Sequence, residues 1–119
     1  MRDFKTQAVW QKAHQLTLEI YQSTERFPNE ELYGLTSQIR RACASIPMNI
    51  AEGCGRGSDP EFAHFLSIAM GSASELEYQL QLTRDLGLLK QSNYDRLEPA
   101  LIEIKRMMNS FIQKLKANR

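Results

Sequence analysis

Apolar and small residues recur at steps of three and four in four separate runs of this chain. In the first, Val9, Trp10, Ala13, Leu16, Thr17, Ile20, Tyr21 and Thr24 mark one face of a helix over about 7–26. Phe27-Pro28-Asn29 ends it, because a residue before proline is driven out of the helical region. In the second, Leu35, Ile39, Ala42, Cys43, Ile46, Ile50 and Gly53 predict a helix over about 32–54 with Pro47 inside it. Proline removes one backbone donor, so a kink or a gap in the hydrogen-bond ladder near residue 43 is expected, not a stop. "GCGRGSDPE" then combines a glycine-rich ending with a helix start: Ser58 with Glu61 spells a capping box, while Asp59 before Pro60 spells an N-cap and a first-turn proline. The third run, Phe62, Phe65, Leu66, Ala69, Met70, Ala73, Leu76, Leu80 and Thr83, predicts a helix over about 59–87. At its centre "AMGSAS" is small except for Met70, inviting close approach by helix 2 at Ala42, Ala44 and Ser45. After "LLKQSN", the heptad stripe Leu97, Leu101, Ile104, Met108, Phe111 and Leu115 predicts a helix over about 93–117, with Pro99 early in it or kinking its first turn.

Four helices, connections of about five residues and no sustained alternation argue an all-α fold, an antiparallel up-down-up-down four-helix bundle. At 119 residues, 1–119 reads as a single domain that needs no disulfide or metal to support its core. Apolar residues at 42% and charged residues at 24% exclude a disordered class. No run approaches the ~18 apolar residues of a membrane span and the first residues lack a signal-peptide block, so no membrane association and a cytoplasmic location are expected.

Charge narrows the partners only locally. Fifteen Lys and Arg against fourteen Asp and Glu leave a formal +1, which argues for no class of anionic partner. Residues 59–90 carry +2 and −5, however, and residues 91–119 carry +6 and −3. Lys114, Lys116 and Arg119 complement the negative end of the last helix dipole, or else join Lys105 and Arg106 in one basic, phosphate-contacting strip.

Chemistry is sparse. His14 and His64 stand on different helices, and neither His-Glu-x-x-His nor paired Cys-x-x-Cys occurs, so no metal and no cofactor are expected. Cys43 and Cys54 would lie about 16 Å apart along one helix, too far to bridge, and read as reduced, small core residues. No serine sits in a Gly-x-Ser-x-Gly elbow. "GCGRGS" has the Gly-x-Gly spacing of a phosphate loop, but it follows a helix and lacks the Gly-Lys-Ser/Thr ending. A helix-hairpin turn with left-handed glycines is the better account, leaving a weak anion site at the start of helix 3 as the alternative. Gln38, Arg41, Ser45, Asn49, Glu52 and Arg56 form a polar stripe beside the apolar face of helix 2. Its small and amide side chains suit a subunit interface or an inter-helix hydrogen-bond network, with Arg41 paired to Glu52 or Glu75. A solvated face and direct nucleic-acid contact are the other readings.

"VWQKAHQLTLEIY", "FP", "YGLTSQIRRACASIPMNIAEGCGRGS" and "EFAHFLSIAMGSASELEYQLQLTRDLG" together resemble the four-helix-bundle proteins encoded in intervening sequences of bacterial 23S ribosomal RNA genes. The likeness is dense over residues 9 to about 88, and its motif falls on Gln38, Arg40, Arg41, Ser45, Pro47, Asn49, Glu52 and Gly53. It implies a left-handed antiparallel bundle assembling into a ring-like homopentamer. It also implies kinship with the accessory variability protein of diversity-generating retroelements, which binds nucleic acid and a reverse transcriptase. No catalytic role attaches to the motif. Those retroelement relatives are strongly basic, and this chain is nearly neutral.

The expectation that follows is a non-enzymatic homo-oligomeric bundle that binds RNA or DNA through Arg40, Lys105, Arg106, Lys114, Lys116 and Arg119. The alternative is a scaffold for a partner protein with no nucleic-acid role.

Overall fold

The computed structural model describes residues 2–117. Four helices account for most of them: α1 (Ala8–Ser23), α2 (Leu35–Cys54), α3 (Asp59–Asp85) and α4 (Gln91–Ala117). Single 3-10 turns at Phe4–Thr6 and Asn29–Glu31 precede α1 and α2. Each helix packs against its neighbours in the chain, and α1 closes the square against α4. Cross-links run in opposite chain directions across the α1–α2 and α1–α4 seams, with Thr17 beside Cys43 and Thr24 beside Arg40, Lys12 beside Glu103 and Glu19 beside Arg96. The result is the antiparallel all-α bundle that the periodicity predicts, measuring 47 × 23 × 21 Å.

Helix ends follow local chemistry. Ser58 is the N-cap of α3: its hydroxyl accepts from the Glu61 N–H at 3.3 Å and donates to the Glu61 carboxylate at 3.0 Å. The capping box therefore prevails over the Asp59-Pro60 reading, and Pro60 sits where its missing donor costs little. Gly87, at φ 78, ends α3 in a Schellman turn in which the Leu88 N–H reaches the Thr83 carbonyl and the Gly87 N–H reaches that of Arg84, both at 2.9 Å. Gly87 is the one positive-φ residue described, which corrects the expectation for "GCGRGS". Gly55 stays right-handed at φ −79, its N–H shared between the Ala51 and Glu52 carbonyls. The start of α2 moves from 32 to 35 because Gly34, at φ −110 and ψ −110, breaks the helical path.

Both prolines lie inside continuous helices. Pro47 is buried and deprives the Cys43 carbonyl of its helical donor. The Thr17 hydroxyl of α1 answers in part, lying 3.4 Å from that carbonyl while donating to Ala13 O at 2.8 Å. Because α4 begins at Gln91, Pro99 falls two turns in, not in the first turn. It is exposed, so water can serve the carbonyl it frees.

Inside, Ile39, Ile46, Ile50, Leu66, Leu76, Leu80, Leu97 and Leu101 are fully buried from three helices, with Leu16 and Ile20 of α1. The α4 stripe shifts from its predicted register near its end: Ile112 is buried and Phe111 is half-buried, edge-on to Phe62 at 5.0 Å. A straight helix drifts off a strict seven-residue repeat in this way. The chain start straps one end of the bundle. The Arg2 N–H donates to the Cys54 carbonyl at 2.9 Å, and the Arg2 guanidinium lies 4.9 Å from the Phe62 ring centre.

At Gly53 the approach of α2 to α3 leaves no room for a side chain: an added Cβ would lie 2.7 Å from Phe62 Cδ1 and 3.1 Å from Phe65 Cβ. Gly53→Ala is expected to lower stability by about 1–3 kcal/mol through overpacking, despite alanine's better helix propensity. Urea denaturation followed by circular dichroism measures it, and a variant as stable as the parent would show that the contact relaxes freely.

Candidate functional site

Two surfaces gather the polar and charged residues that the sequence singles out. The first is the outward face where α2 meets α3. From Ala42 to Ala51 and from Phe62 to Ser74 neither helix carries an Asp, Glu, Lys or Arg. A hydrogen bond of 2.8 Å between the Ser45 and Ser72 hydroxyls joins these two stretches. Asn49 supports it, donating through Nδ2 to the Ser45 carbonyl at 2.8 Å and to the Ser45 hydroxyl at 3.0 Å. Beside this network the surface is apolar or bare: Ile68 is 41% exposed, nothing stands within 4 Å of a Cβ added at Gly71, and Met48, next to Asn49 and 67% exposed, extends the uncharged surface of α2 toward a groove it shares with Trp10 and Thr17 of α1.

The remaining stripe residues bracket that uncharged centre. At one end Glu52 accepts from Arg56 at 2.7 Å, and Arg56 lies 4.9 Å over the Phe65 ring. At the other, Gln38 and Arg41 share a groove of about 530 Å³ with Leu35, Glu75, Tyr78, Gln79 and Leu82. The expected partners of Arg41 are corrected here. Glu52 is held by Arg56, just past the end of α2, and among the described residues Arg41 ion-pairs with no carboxylate, Glu75 included. In the same groove Gln79 is buried and its Oε1 has no hydrogen-bond partner among the described residues. A buried amide oxygen left unsatisfied carries a penalty of about 1–3 kcal/mol.

The basic residues divide. Arg40 serves the bundle itself: its Nε donates to the Thr24 hydroxyl at 2.9 Å, its Nη2 to the Tyr21 carbonyl at 3.2 Å, and its guanidinium covers the Tyr21 ring. It thereby satisfies the carbonyl end of α1 with positive charge. Lys105 is half-buried and paired to Glu77 of α3 at 2.6 Å. Arg106, Lys114 and Lys116 are exposed and make no ion pair among the described residues. Arg119 lies outside the described residues. At about 100° per residue, Lys105 and Lys116 share one side of α4 while Lys114 lies about 160° from Lys116. A single strip along α4 is therefore excluded for these lysines.

Arg106 and Lys114 converge instead on the second surface, a groove of about 570 Å³ between the start of α1 and the end of α4. Gln7, Ala8 and Val9 form one wall, and Met107, Ser110 and Phe111 the other.

Neither cysteine is poised for chemistry. Both are free and buried. Desolvation pushes the Cys43 thiol up to about 11, against a smaller opposing effect of its hydrogen bond to Thr17. Desolvation raises Cys54 as well, with nearby Arg2 pulling the other way. Among the described residues no three His, Cys, Asp or Glu side chains come together to hold a metal ion, and no helix is long and apolar enough to cross a membrane.

The family described as 23S rRNA-intervening sequence protein matches residues 5–110 of this chain. The chain belongs to that family. Its fold is similar to the crystal structure of a protein with unknown function from the S23 ribosomal protein family of Bacteroides thetaiotaomicron, with a TM-score of 0.81 and 27% sequence identity. That likeness covers 88% of this chain and 95% of the other. No curated protein matches. The chain thus shares its fold with a protein whose own function is unknown, so the surfaces carry the functional argument.

Reading the polar stripe as one unit missed its uncharged centre and the contributions of Met48, Ile68, Gly71 and Ser72. The signal was present as two charge-free stretches in adjacent helices. The α1–α4 groove had no comparable signal, since its walls come from opposite ends of the chain.

Two outcomes are expected. Arg40→Ala should destabilise the fold by about 1–2 kcal/mol, within the range for hydrogen bonds from a charged donor discounted for partial exposure; an unchanged urea midpoint would show that water replaces the clamp. Cys43 should resist iodoacetamide at pH 8 in the folded protein and react once it is unfolded. Because its folded pKa is raised, the stability tied to the neutral thiol is present below the unfolded value and is lost as pH climbs toward about 11. Cys43→Ala should flatten that alkaline decline, measured as urea midpoint against pH.

Proposed function

We propose that this family member is a non-enzymatic bundle that assembles with copies of itself through the α2–α3 face and binds RNA or DNA through exposed cations of α4. The observation that carries the assembly half is the uncharged centre of the α2–α3 face. Exposed bundle helices ordinarily carry charges outward, whereas here exposed Ile68, Gly71 and Met48 lie on the same uncharged stretches as a serine and asparagine network. Arg41 and Glu75, both in the adjoining groove and neither ion-paired among the described residues, supply opposite charges that a second copy can answer. The resemblance to ring-forming relatives supports five subunits.

Exposed, unpaired Arg106, Lys114 and Lys116 support the nucleic-acid half, as does the likeness to the retroelement accessory protein. Near-neutral net charge makes a single subunit a weak binder. Repetition around an oligomer multiplies a weak site through effective concentration. The scaffold reading rests on the acidic balance of residues 59–90 and makes the α2–α3 face a site for a different protein.

Met48→Glu combined with Ile68→Glu should release monomers with unchanged helicity, read by light scattering and circular dichroism. A parent protein that is monomeric at tens of micromolar would remove the assembly half. For the other half, nucleic-acid-free protein is titrated with structured RNA and with duplex DNA over rising salt. Affinity should fall steeply, with a slope that counts the phosphates neutralised. Absence of binding at low salt would leave the scaffold.

A further inference from the structure

We infer that the groove between the start of α1 and the end of α4 seats one unpaired nucleotide of a single strand, its base against Met107 and Phe111 and its flanking phosphates on Arg106 and Lys114. This rests on the nucleic-acid reading above and narrows it to single-stranded substrate.

Four features converge. The groove, at about 570 Å³, lies within the range of sites that enclose a small ligand. Its surface is apolar where Ala8, Val9, Met107 and Phe111 line it, and Val9 is buried beneath. A bare inorganic anion would leave that apolar surface uncovered, whereas a base has a π-face to lay on it.

Charge adds the second part. Two other basic side chains of α4 are answered by carboxylates, Arg96 by Glu19 at 3.9 Å and Lys105 by Glu77 at 2.6 Å, and Lys116, without an ion pair among the described residues, does not line the groove. Arg106 and Lys114 are unanswered, among the described residues, and they stand eight residues apart, about 12 Å along the helix axis. They bracket the groove, so each can hold the phosphate on one side of a base lying between them. The third feature is the end of α1 that closes the groove. Its first turn holds no acidic residue and Gln7 makes no side-chain cap, so the positive end of the helix dipole faces this wall unopposed.

The fourth feature is size against strandedness. In a duplex the bases are stacked and paired, and only the sugar-phosphate surface could touch Arg106 and Lys114. A splayed base of a single strand fills the space and covers the aromatic and thioether surface. An acidic peptide could meet the cations but offers no planar ring sized to this groove.

The test compares a labelled single-stranded RNA 12-mer with the same sequence as a duplex, by fluorescence anisotropy against the full chain. Arg106→Glu with Lys114→Glu should weaken single-strand binding by at least about tenfold and flatten the salt dependence by roughly 1.4 logarithmic units per tenfold salt, for two phosphate contacts. Ser110→Trp fills the groove from an exposed position without changing charge, and should also weaken single-strand binding about tenfold by excluding the base. Arg26→Glu with Lys90→Glu makes an equal charge change at the other end of the bundle and should change affinity less than about threefold, as screened long-range charge predicts. Circular dichroism confirms that each variant folds. The groove assignment is overturned if Ser110→Trp binds single strands like the parent, if the duplex binds as tightly as the single strand, or if an acidic peptide binds more tightly than either. Absence of RNA binding by the parent at low salt overturns the underlying nucleic-acid reading instead.

Discussion

At Gly53 the α2 backbone runs so close to α3 that a methyl group would collide with Phe62, and the geometry of both candidate surfaces depends on that proximity. With α2 and α3 pressed together there, Ser45 and Ser72 come within hydrogen-bond reach further along the same seam. Phe62 is in turn fixed from the far side by Phe111 of α4 and capped by Arg2. One close contact thus orients three helices and the chain start. It is also why the seam favours serine, alanine and glycine: interiors are packed too densely for larger side chains to be accommodated without shifting backbone.

Pro47 shows how such a bundle absorbs an irregular residue. The missing donor leaves a carbonyl at Cys43 facing α1, where the Thr17 hydroxyl already bonds within its own helix and leans toward it. Arg40, less than a turn from Cys43 on α2, plays the corresponding part at the C-terminal end of α1, where the last carbonyls of α1 would otherwise depend on water. Both motif residues therefore act inside the subunit. Their neighbours Ser45 and Asn49 combine an internal hydrogen bond with a place on the outer surface, which suits positions used in packing and assembly together.

The two surfaces differ in physical character. On the α2–α3 face charge is withheld from the centre and opposite charges stand at its ends, a pattern suited to burial against protein. Around the α1–α4 groove unpaired cations flank apolar side chains, a pattern suited to an anionic ligand with a flat hydrophobic part. Because the two lie on different seams of the square, one can be buried in an assembly while the other stays open, and each added subunit would then repeat the groove.

Four helices, their order and most of their inward faces were legible in the chain, because a period of 3.6 residues and local stop signals such as Gly87 and the Ser58–Glu61 box act over a few residues. Local chemistry also carried the burial of Cys43 and Cys54 and the special character of the Ser45 and Asn49 positions. Which basic residues remain available was not legible. Arg40 and Lys105 are taken up by Thr24, Tyr21 and Glu77 from other helices, and Lys114 and Lys116 separate because of where α4 turns them. Ion pairs and grooves join residues distant in the chain, as Gln7 and Lys114 are, and only the packing of whole helices brings their side chains within the few ångströms over which those interactions act.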